Sequence, residues 1–451
     1  MNKSQVLVLG GGPAGGAVAI GLVRLGYSVT LVSEPRPFDA VEGISDRVVQ
    51  GLQGAGFNLA LEQMAEPSPR RVTWNGITSA ANTERLIPRQ AFDLALLDDL
   101  KAQGIHVIQG RVTGIQPNAT GHVAEASLVS GEQLQLQGDF LVEARGRAAP
   151  AAGVPRVKGS QTVSLLQYWQ GPADTPCSAV QSFADGWAWM ALRADGRRYL
   201  QLTLDVASAD LPPKRELGDW CQARLSKLEQ AQPFMAGAEP AGEVYARTST
   251  PVLCEHSVGN NWIRVGDAAM AVDPLSGNGI FQALSSALQA PAVINTLINH
   301  PERAGLAKQF HEARIEGLFY RFARIGRDFY AQESQWPANP FWQGRSQWPD
   351  QVPLHLDVTP DQVSTGVRPV VQDGLIREAQ VVITPDQPLG IWHLNGLELA
   401  PLLEQVRARP DLTPAELLSR THGAVMGERL ALWMYQQGWV DDPKGQCEHE
   451  V

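Results

Sequence analysis

Gly10-x-Gly12-x-x-Gly15 stands directly between a short apolar run, Gln5–Leu9, and a stretch with helical periodicity, Pro13–Leu25. No other feature of the chain narrows its fold as much. An apolar run that ends on glycines reads as a buried strand, and the glycines specify a tight turn into a helix. The first permits the turn, the second lets the backbone approach a pyrophosphate, and the third lets helix and strand pack closely. The helix N-terminus adds N–H groups and a positive dipole end, so Gly10, Gly12, Pro13, Ala14 and Gly15 form a candidate dinucleotide site. Ser28–Ser33 is a second, β-branched strand, and Glu34 ends it where a carboxylate would accept hydrogen bonds from ribose hydroxyls. The plain alternative is a glycine-rich turn without a ligand. Strand, helix, second strand and terminal acid together speak against it.

A long interval separates this unit from a second motif, Arg264-Val-Gly266-Asp267-Ala-Ala269. Asp273-Pro274-Leu-Ser-Gly277-Asn278-Gly279 follows, at the start of a helix read as Gly279–Ile298. That spacing favours FAD over NAD. Asp267 supplies a carboxylate for the ribityl or ribose region. Glycine-opened backbone at a helix N-terminus suits the flavin edge, where negative charge accumulates on reduction. Gly266, Asp267, Pro274, Gly277, Asn278 and Gly279 therefore join the candidate cofactor residues, with helix-capping glycines as the alternative.

The 451 residues allow about three domains, and a 44% hydrophobic, 19% charged composition can bury large cores. Lys and Arg number 37 against 47 Asp and Glu, a net charge of −10 that speaks against nucleic acid or anionic lipid as partner. Cys177, Cys221, Cys254 and Cys447 lie far apart, which fits a reducing compartment. The first apolar run breaks at once into glycines, so it is not read as a secretion signal, and no run of about 18 apolar residues could span a membrane. His256 and His311 have no metal-ligand spacing. The expectation is a cytoplasmic protein without a metal.

From about Gln161 the character changes to antiparallel strands, Val163–Trp169, Trp187–Leu192 and Tyr199–Leu204. The expected fold is α/β. Residues 1–160 plus 245–333 make a Rossmann-like FAD-binding domain, and 161–244 an inserted substrate-binding sheet joined by part of 69–86. Residues 334–365 are read as a linker pinned to the body by its tryptophans. Residues 366–451 are read as a small docking domain, with strands at Pro369–Val371 and Val381–Thr384 and helices at Asn395–Val406, Thr413–Arg420 and Val425–Gln437. This last unit resembles a winged helix. Its 7 basic and 12 acidic residues leave no phosphate footprint, so peptide or protein docking, or a mere cap, suits it better than DNA.

The two motifs and their order resemble the single-component FAD-dependent aromatic hydroxylases, a superfamily that includes the flavin halogenases, over roughly residues 1–330. The resemblance implies roles in FAD binding for Arg47, in Asp46-Arg47-Val-Val, for Arg89, in Pro88-Arg89-Gln90-Ala-Phe92-Asp93, and for Val112. One motif departs. Where the family has Asp-Gly, this chain reads Glu143-Ala-Arg145-Gly146-Arg147, which puts the usual nicotinamide geometry in question. Gly186-Trp187-Ala-Trp189 resembles the halogenase Gly-Trp-x-Trp signature, yet no lysine lies between Lys3 and Lys101, where halogenases use one. Arginine cannot replace that amine, so hydroxylation is the expectation.

The resemblance implies a monooxygenase using NAD(P)H and O2, in which a flavin C4a-hydroperoxide attacks an electron-rich ring. Tyr168, Gln181, Asp185 and Tyr199 lie in the substrate sheet, but no catalytic base is named. The overall layout is further similar to flavoprotein monooxygenases that mature quinohemoprotein amine dehydrogenase by hydroxylating a tryptophan in its small subunit, on the way to cysteine tryptophylquinone. That implies a peptide or small protein as substrate. A hydroxylase of a small aromatic metabolite and a non-catalytic flavin-binding assembly protein are the alternatives.

Overall fold

The computed structural model describes residues 4–36, 38–150, 153–277 and 279–441. Asn278 and Cys447 lie outside the described residues.

A seven-stranded sheet forms the body. Its parallel strands run in the order Trp262–Arg264, Phe140–Glu143, Gln5–Leu9, Ser28–Ser33 and His106–Pro117, and the antiparallel His122–Leu128 and Gln133–Gly138 extend one edge. Val6, Leu7, Val8 and Leu9 are all 0% exposed, because helices or strands cover both faces. Each contributes about 1.5–3 kcal/mol by burial. Gln5–Leu9 has Ser28–Ser33 on one side and Phe140–Glu143 on the other, so the strand order reverses at its end. Open α/β sheets bind ligands at such a switch point.

A nine-stranded second sheet holds Thr162–Gln170, Arg197–Asp205, Gly186–Leu192 and Cys177–Phe183, then Ser68–Trp74, Ile77–Pro88 and Val41–Ile44. Its side chains alternate. Ala188, Met190, Leu192, Leu200, Leu202 and Leu204 pack in one cluster with Leu217, Cys221, Leu225 and Phe234 from short outer helices. Trp187, Trp189, Tyr199 and Gln201 therefore turn to the opposite, inner face. The segment Pro340–Ser346 is helical, with Phe341 and Trp342 at 0% and 1% exposure. Buried Arg345 locks it to the second sheet through Thr162 Oγ1 (2.6 Å) and Asp205 (3.3 Å).

The C-terminal residues form a hairpin, Ser364–Gln372 with Leu375–Ile383, a two-residue pair at His393–Leu394 and Leu397–Glu398, and helices Leu399–Ala408, Pro414–His422 and Ala424–Gln436. Thr413 and Glu416 close a capping box at the second helix. The hairpin packs into the body: Ile376 joins the main core cluster, and its N–H donates to Thr296 Oγ1 at 2.8 Å.

Two sequence expectations need correction. The helix expected over Gly279–Ile298 is broken into Gly279–Ala287 and Ala290–Asn299, because Pro291 has no N–H to continue the first. The helix expected from Asn395 starts only at Leu399. Asn395-Gly396, at φ 50° and 85°, is instead a two-residue hairpin turn. Asn75-Gly76 and Asp373-Gly374 make the same kind of turn, each with both residues at positive φ.

Candidate active site

The glycine turn is built as its chemistry requires. Gly10 adopts φ +111°, and a Cβ there would lie 2.3 Å from the Ala144 carbonyl oxygen. A Cβ at Gly15 would fall 1.9 Å from Gly10 O, so the helix can pack on the strand only through glycine. Gly12 is different: a Cβ there meets nothing within 4 Å. The first and third glycines serve the fold, while the second faces open space beside the N-terminus of Pro13–Arg24. That open cradle fits a pyrophosphate.

The second motif lies against the first. Gly266, at φ +58°, sits where a Cβ would come 2.7 Å from the Ala14 side chain. Gly266 N–H donates to Ser286 Oγ at 2.9 Å, and Gln282 Nε2 donates to Met270 O at 2.9 Å, which fastens the following helix to this strand. Asp267 faces Arg147 at 3.5 Å; desolvation raises its carboxyl above the usual range despite that arginine. Arg147 also donates to Thr250 O and Val272 O, tying the motif to the segment that precedes it. Gly277 takes φ +62°, and a Cβ at Gly277 or Gly279 meets nothing within 4 Å. These glycines, too, leave backbone open to a ligand.

The remaining candidates fall differently. Glu34 is exposed at the end of the second strand. Arg47 is exposed and stacks 5.1 Å over Phe281 of the Gly279–Ala287 helix, which brings it beside the second motif. Val112 is half-buried at a register shift in its strand. Arg89 is only 6% exposed and is held by Glu42 (2.7 Å) and Asp93 (2.8 Å), which raise its pKa against the opposing effect of burial. Arg145, at the departed Asp-Gly position, folds back onto Glu143 of its own strand, with Nε 3.0 Å from Oε1. Its charge is neutralised there by a buried acid.

The inner face of the second sheet looks toward the Asp273 loop. Trp187 Nε1 donates to Tyr330 Oη (3.1 Å), and Tyr330 donates to Asp273 Oδ1 (3.0 Å). Asp273 also accepts Leu275 N–H (2.9 Å), capping the turn Pro274–Ser276 that leads into Gly277. Burial pushes the Asp273 carboxyl and the Tyr330 phenol up. Beside this relay, Trp189 meets Tyr199 edge-on at 5.7 Å, Tyr199 meets Tyr168 at 5.3 Å, and Trp189 Nε1 donates to Glu84 Oε1 at 3.3 Å. The wall is aromatic with few polar points, as a site for a flat ring should be.

The other side chains singled out in the sequence lie away from this wall or are held by partners of their own. Tyr168 donates to Asp39 O, Gln181 accepts from Gln230 N–H, and Asp185 pairs with Arg224 at 2.6 Å. His256 is exposed, and His311 is buried with Nε2 3.0 Å from Arg264 O. Buried Glu333 accepts from Ser182 Oγ (2.6 Å), Asn75 N–H and Gln335 N–H. Sequence reasoning missed Tyr330, Glu84 and Glu333. Tyr330 is 57 residues from Asp273, and no local motif marks it. Among the described residues no helix is long and apolar enough to cross a membrane, and no group of three or more His, Cys, Asp or Glu could hold a metal.

Comparison with known proteins agrees with this geometry. Residues 3–315 match the model of the FAD binding domain. The solved structure of the peptidyl tryptophan dihydroxylase QhpG, essential for tryptophylquinone cofactor biogenesis, is 51% identical at a TM-score of 0.84, covering 97% of this chain and 100% of that one. Tryptophan 2-halogenase of Chondromyces crocatus is 26% identical over 359 residues, 73% of this chain and 68% of the halogenase. The flavin-dependent halogenase CmlS shares the fold at 18% identity and a TM-score of 0.76, covering 97% and 96% of the two chains. With both glycine motifs placed at one switch point, the chain belongs to the FAD-binding-domain family of flavin-dependent hydroxylases and halogenases, and its cofactor is FAD.

Proposed function

We propose that this chain is an FAD-dependent monooxygenase that dihydroxylates a tryptophan held in a polypeptide, during tryptophylquinone cofactor biogenesis. The observation that carries this reading is the end-to-end match, at 51% identity, to QhpG. Gly10, Gly12, Pro13, Ala14 and Gly15 would hold the pyrophosphate, with Glu34 toward a ribose and Arg47 beside the phosphates. Gly266, Asp267, Pro274, Gly277 and Gly279 would line the flavin side. Val112 belongs with the nucleotide edge, and Arg89 supports that region through Glu42 and Asp93. When bound, FAD supplies activated oxygen for transfer to the ring.

The protein's part is to hold the ring and exclude water. Trp187, Trp189 and Tyr199 offer the target ring edges and faces, and Tyr330 and Asp273 fix the loop opposite. NAD(P)H and O2 are the cosubstrates. We place the reaction in the cytoplasm, in keeping with free Cys177, Cys221 and Cys254. The chain divides functionally into the FAD-binding body, the inserted sheet and a C-terminal docking unit.

The test is direct. A tryptophan-bearing polypeptide from the tryptophylquinone precursor, incubated with the FAD-loaded protein, NAD(P)H and O2, should gain two oxygen atoms on the indole by mass spectrometry. Oxidation of free aromatic metabolites with no reaction on any peptide would replace this reading by the small-molecule hydroxylase.

A further inference from the structure

A cleft of about 410 Å³ opens between the long helix Ala304–Ala331 and the C-terminal hairpin. Gln289, Phe310 and Arg314 line one wall, and Arg368, Leu389 and Trp392 the other. Its cations are unusual for a chain of net charge −10. Among the described residues no carboxylate forms an ion pair with Arg314 or Arg368. Arg314 stacks on Phe310 at 5.6 Å, and its guanidinium pKa is lowered by burial alone, without an acid to offset it. Arg368 donates to the carbonyl of its own neighbour, Val367, at 2.9 Å.

A guanidinium that burial strips of water without a carboxylate beside it is left short of a partner. Arg314 is in that state, and Arg368 lines the same cleft with only a neighbouring carbonyl to bond. Both ask for an anion. Phe310 and Leu389 line the cleft as well, apolar surface that a free inorganic anion leaves bare and that an acidic polypeptide segment covers with the atoms beside its carboxylates.

We propose that this cleft binds an acidic segment of the polypeptide substrate, with Arg314 and Arg368 pairing its carboxylates. The inference rests on the polypeptide-hydroxylase reading above and names how that substrate is recruited. Arg314 and Tyr330 are 16 positions apart on the same helix, on the order of 24 Å along its axis. Contacts in the cleft would thus be remote from the oxidised ring and would serve to position it.

The test uses the full-length, FAD-loaded protein and two short fluorescein-labelled peptides. Each carries one tryptophan, flanked by glutamates in one peptide and by glutamines in the other. Fluorescence anisotropy should show the glutamate peptide binding about tenfold tighter, the worth of one charge-assisted pair. On an acidic protein, bulk electrostatics would favour the glutamine peptide. Arg314→Gln and Arg368→Gln should each cut the preference to about twofold with FAD content unchanged.

Equal binding of the two peptides overturns the proposal, as does a preference that survives both arginine substitutions. Displacement by inorganic phosphate at concentrations matching the peptide would make this a simple anion site and also overturn it. Tryptophan oxidation is scored separately by mass. Oxidation without charge preference sinks the cleft and leaves the hydroxylase, while an arginine-dependent preference in a protein that oxidises no peptide does the reverse.

Discussion

Tyr330, in the last turn of the long helix, donates a 3.0 Å hydrogen bond to Asp273, which caps the loop opening the second glycine motif. The phenol also accepts from Trp187 of the inserted sheet. One buried hydroxyl therefore joins three regions: the wall that would face substrate, the loop that would face flavin, and the helix beneath them.

Replacing Tyr330 with Phe keeps the ring packing against Phe341 and Trp342 and removes only the hydroxyl. The buried Trp187 N–H then loses its acceptor and Asp273 loses a donor. Stability should fall by about 1–3 kcal/mol in urea unfolding, and FAD affinity should fall severalfold as the loop loosens. Unchanged values for both would remove this pair from the account of the site.

The glycines of the first turn should separate fold from ligand. Gly12→Val places its side chain in open space, so the apoprotein should unfold at nearly the parental temperature while FAD occupancy falls steeply. Gly15→Val drives atoms into the Gly10 carbonyl and should lower soluble yield itself. A Gly12→Val protein that purifies fully yellow would falsify the pyrophosphate role of this turn.

Halogenases among the relatives make bromide an informative addition. With a peptide substrate the expected product is heavier by roughly 32 Da, two oxygens, with or without bromide. The interval before Lys101 holds no lysine after Lys3, so no amine there can carry an oxidised halide toward the ring. A brominated peptide would show that another group does so.

Local chemistry made part of this molecule readable. Gly10 to Gly15 and Gly266 to Gly279 declare themselves because their geometry is set by neighbours in sequence. The alternation of Trp187 and Trp189 likewise follows from the strand period. Pro291 and Asn395-Gly396 were local signals too, but the apolar pattern running through them outweighed the missing N–H and the hairpin turn. The relay from Trp187 to Asp273 could not be read, because it is assembled from residues 57 and 143 positions apart. Arg89 was legible as a residue and not as an ion pair, since Glu42 reaches it across the Val41–Ile44 and Ile77–Pro88 pairing.

His311 should give the protein a pH-dependent stability of definite sign. It is 4% exposed on the long helix, with Nε2 facing the Arg264 carbonyl, and burial pushes its pKa from 6.5 down to about 4. The unfolded chain therefore binds this proton more readily than the native one between those values. Stability is complete above pH 6.5 and is lost as pH falls toward 4. The full span corresponds to about 3 kcal/mol, of which about 2 kcal/mol lies between pH 7 and pH 5. His311→Gln retains an N–H that can reach the carbonyl but cannot titrate. Urea unfolding at the two pH values should show the parental protein losing about 2 kcal/mol more than the variant. Equal losses would mean that His311 stays protonated in the folded state or opens to water before the protein unfolds.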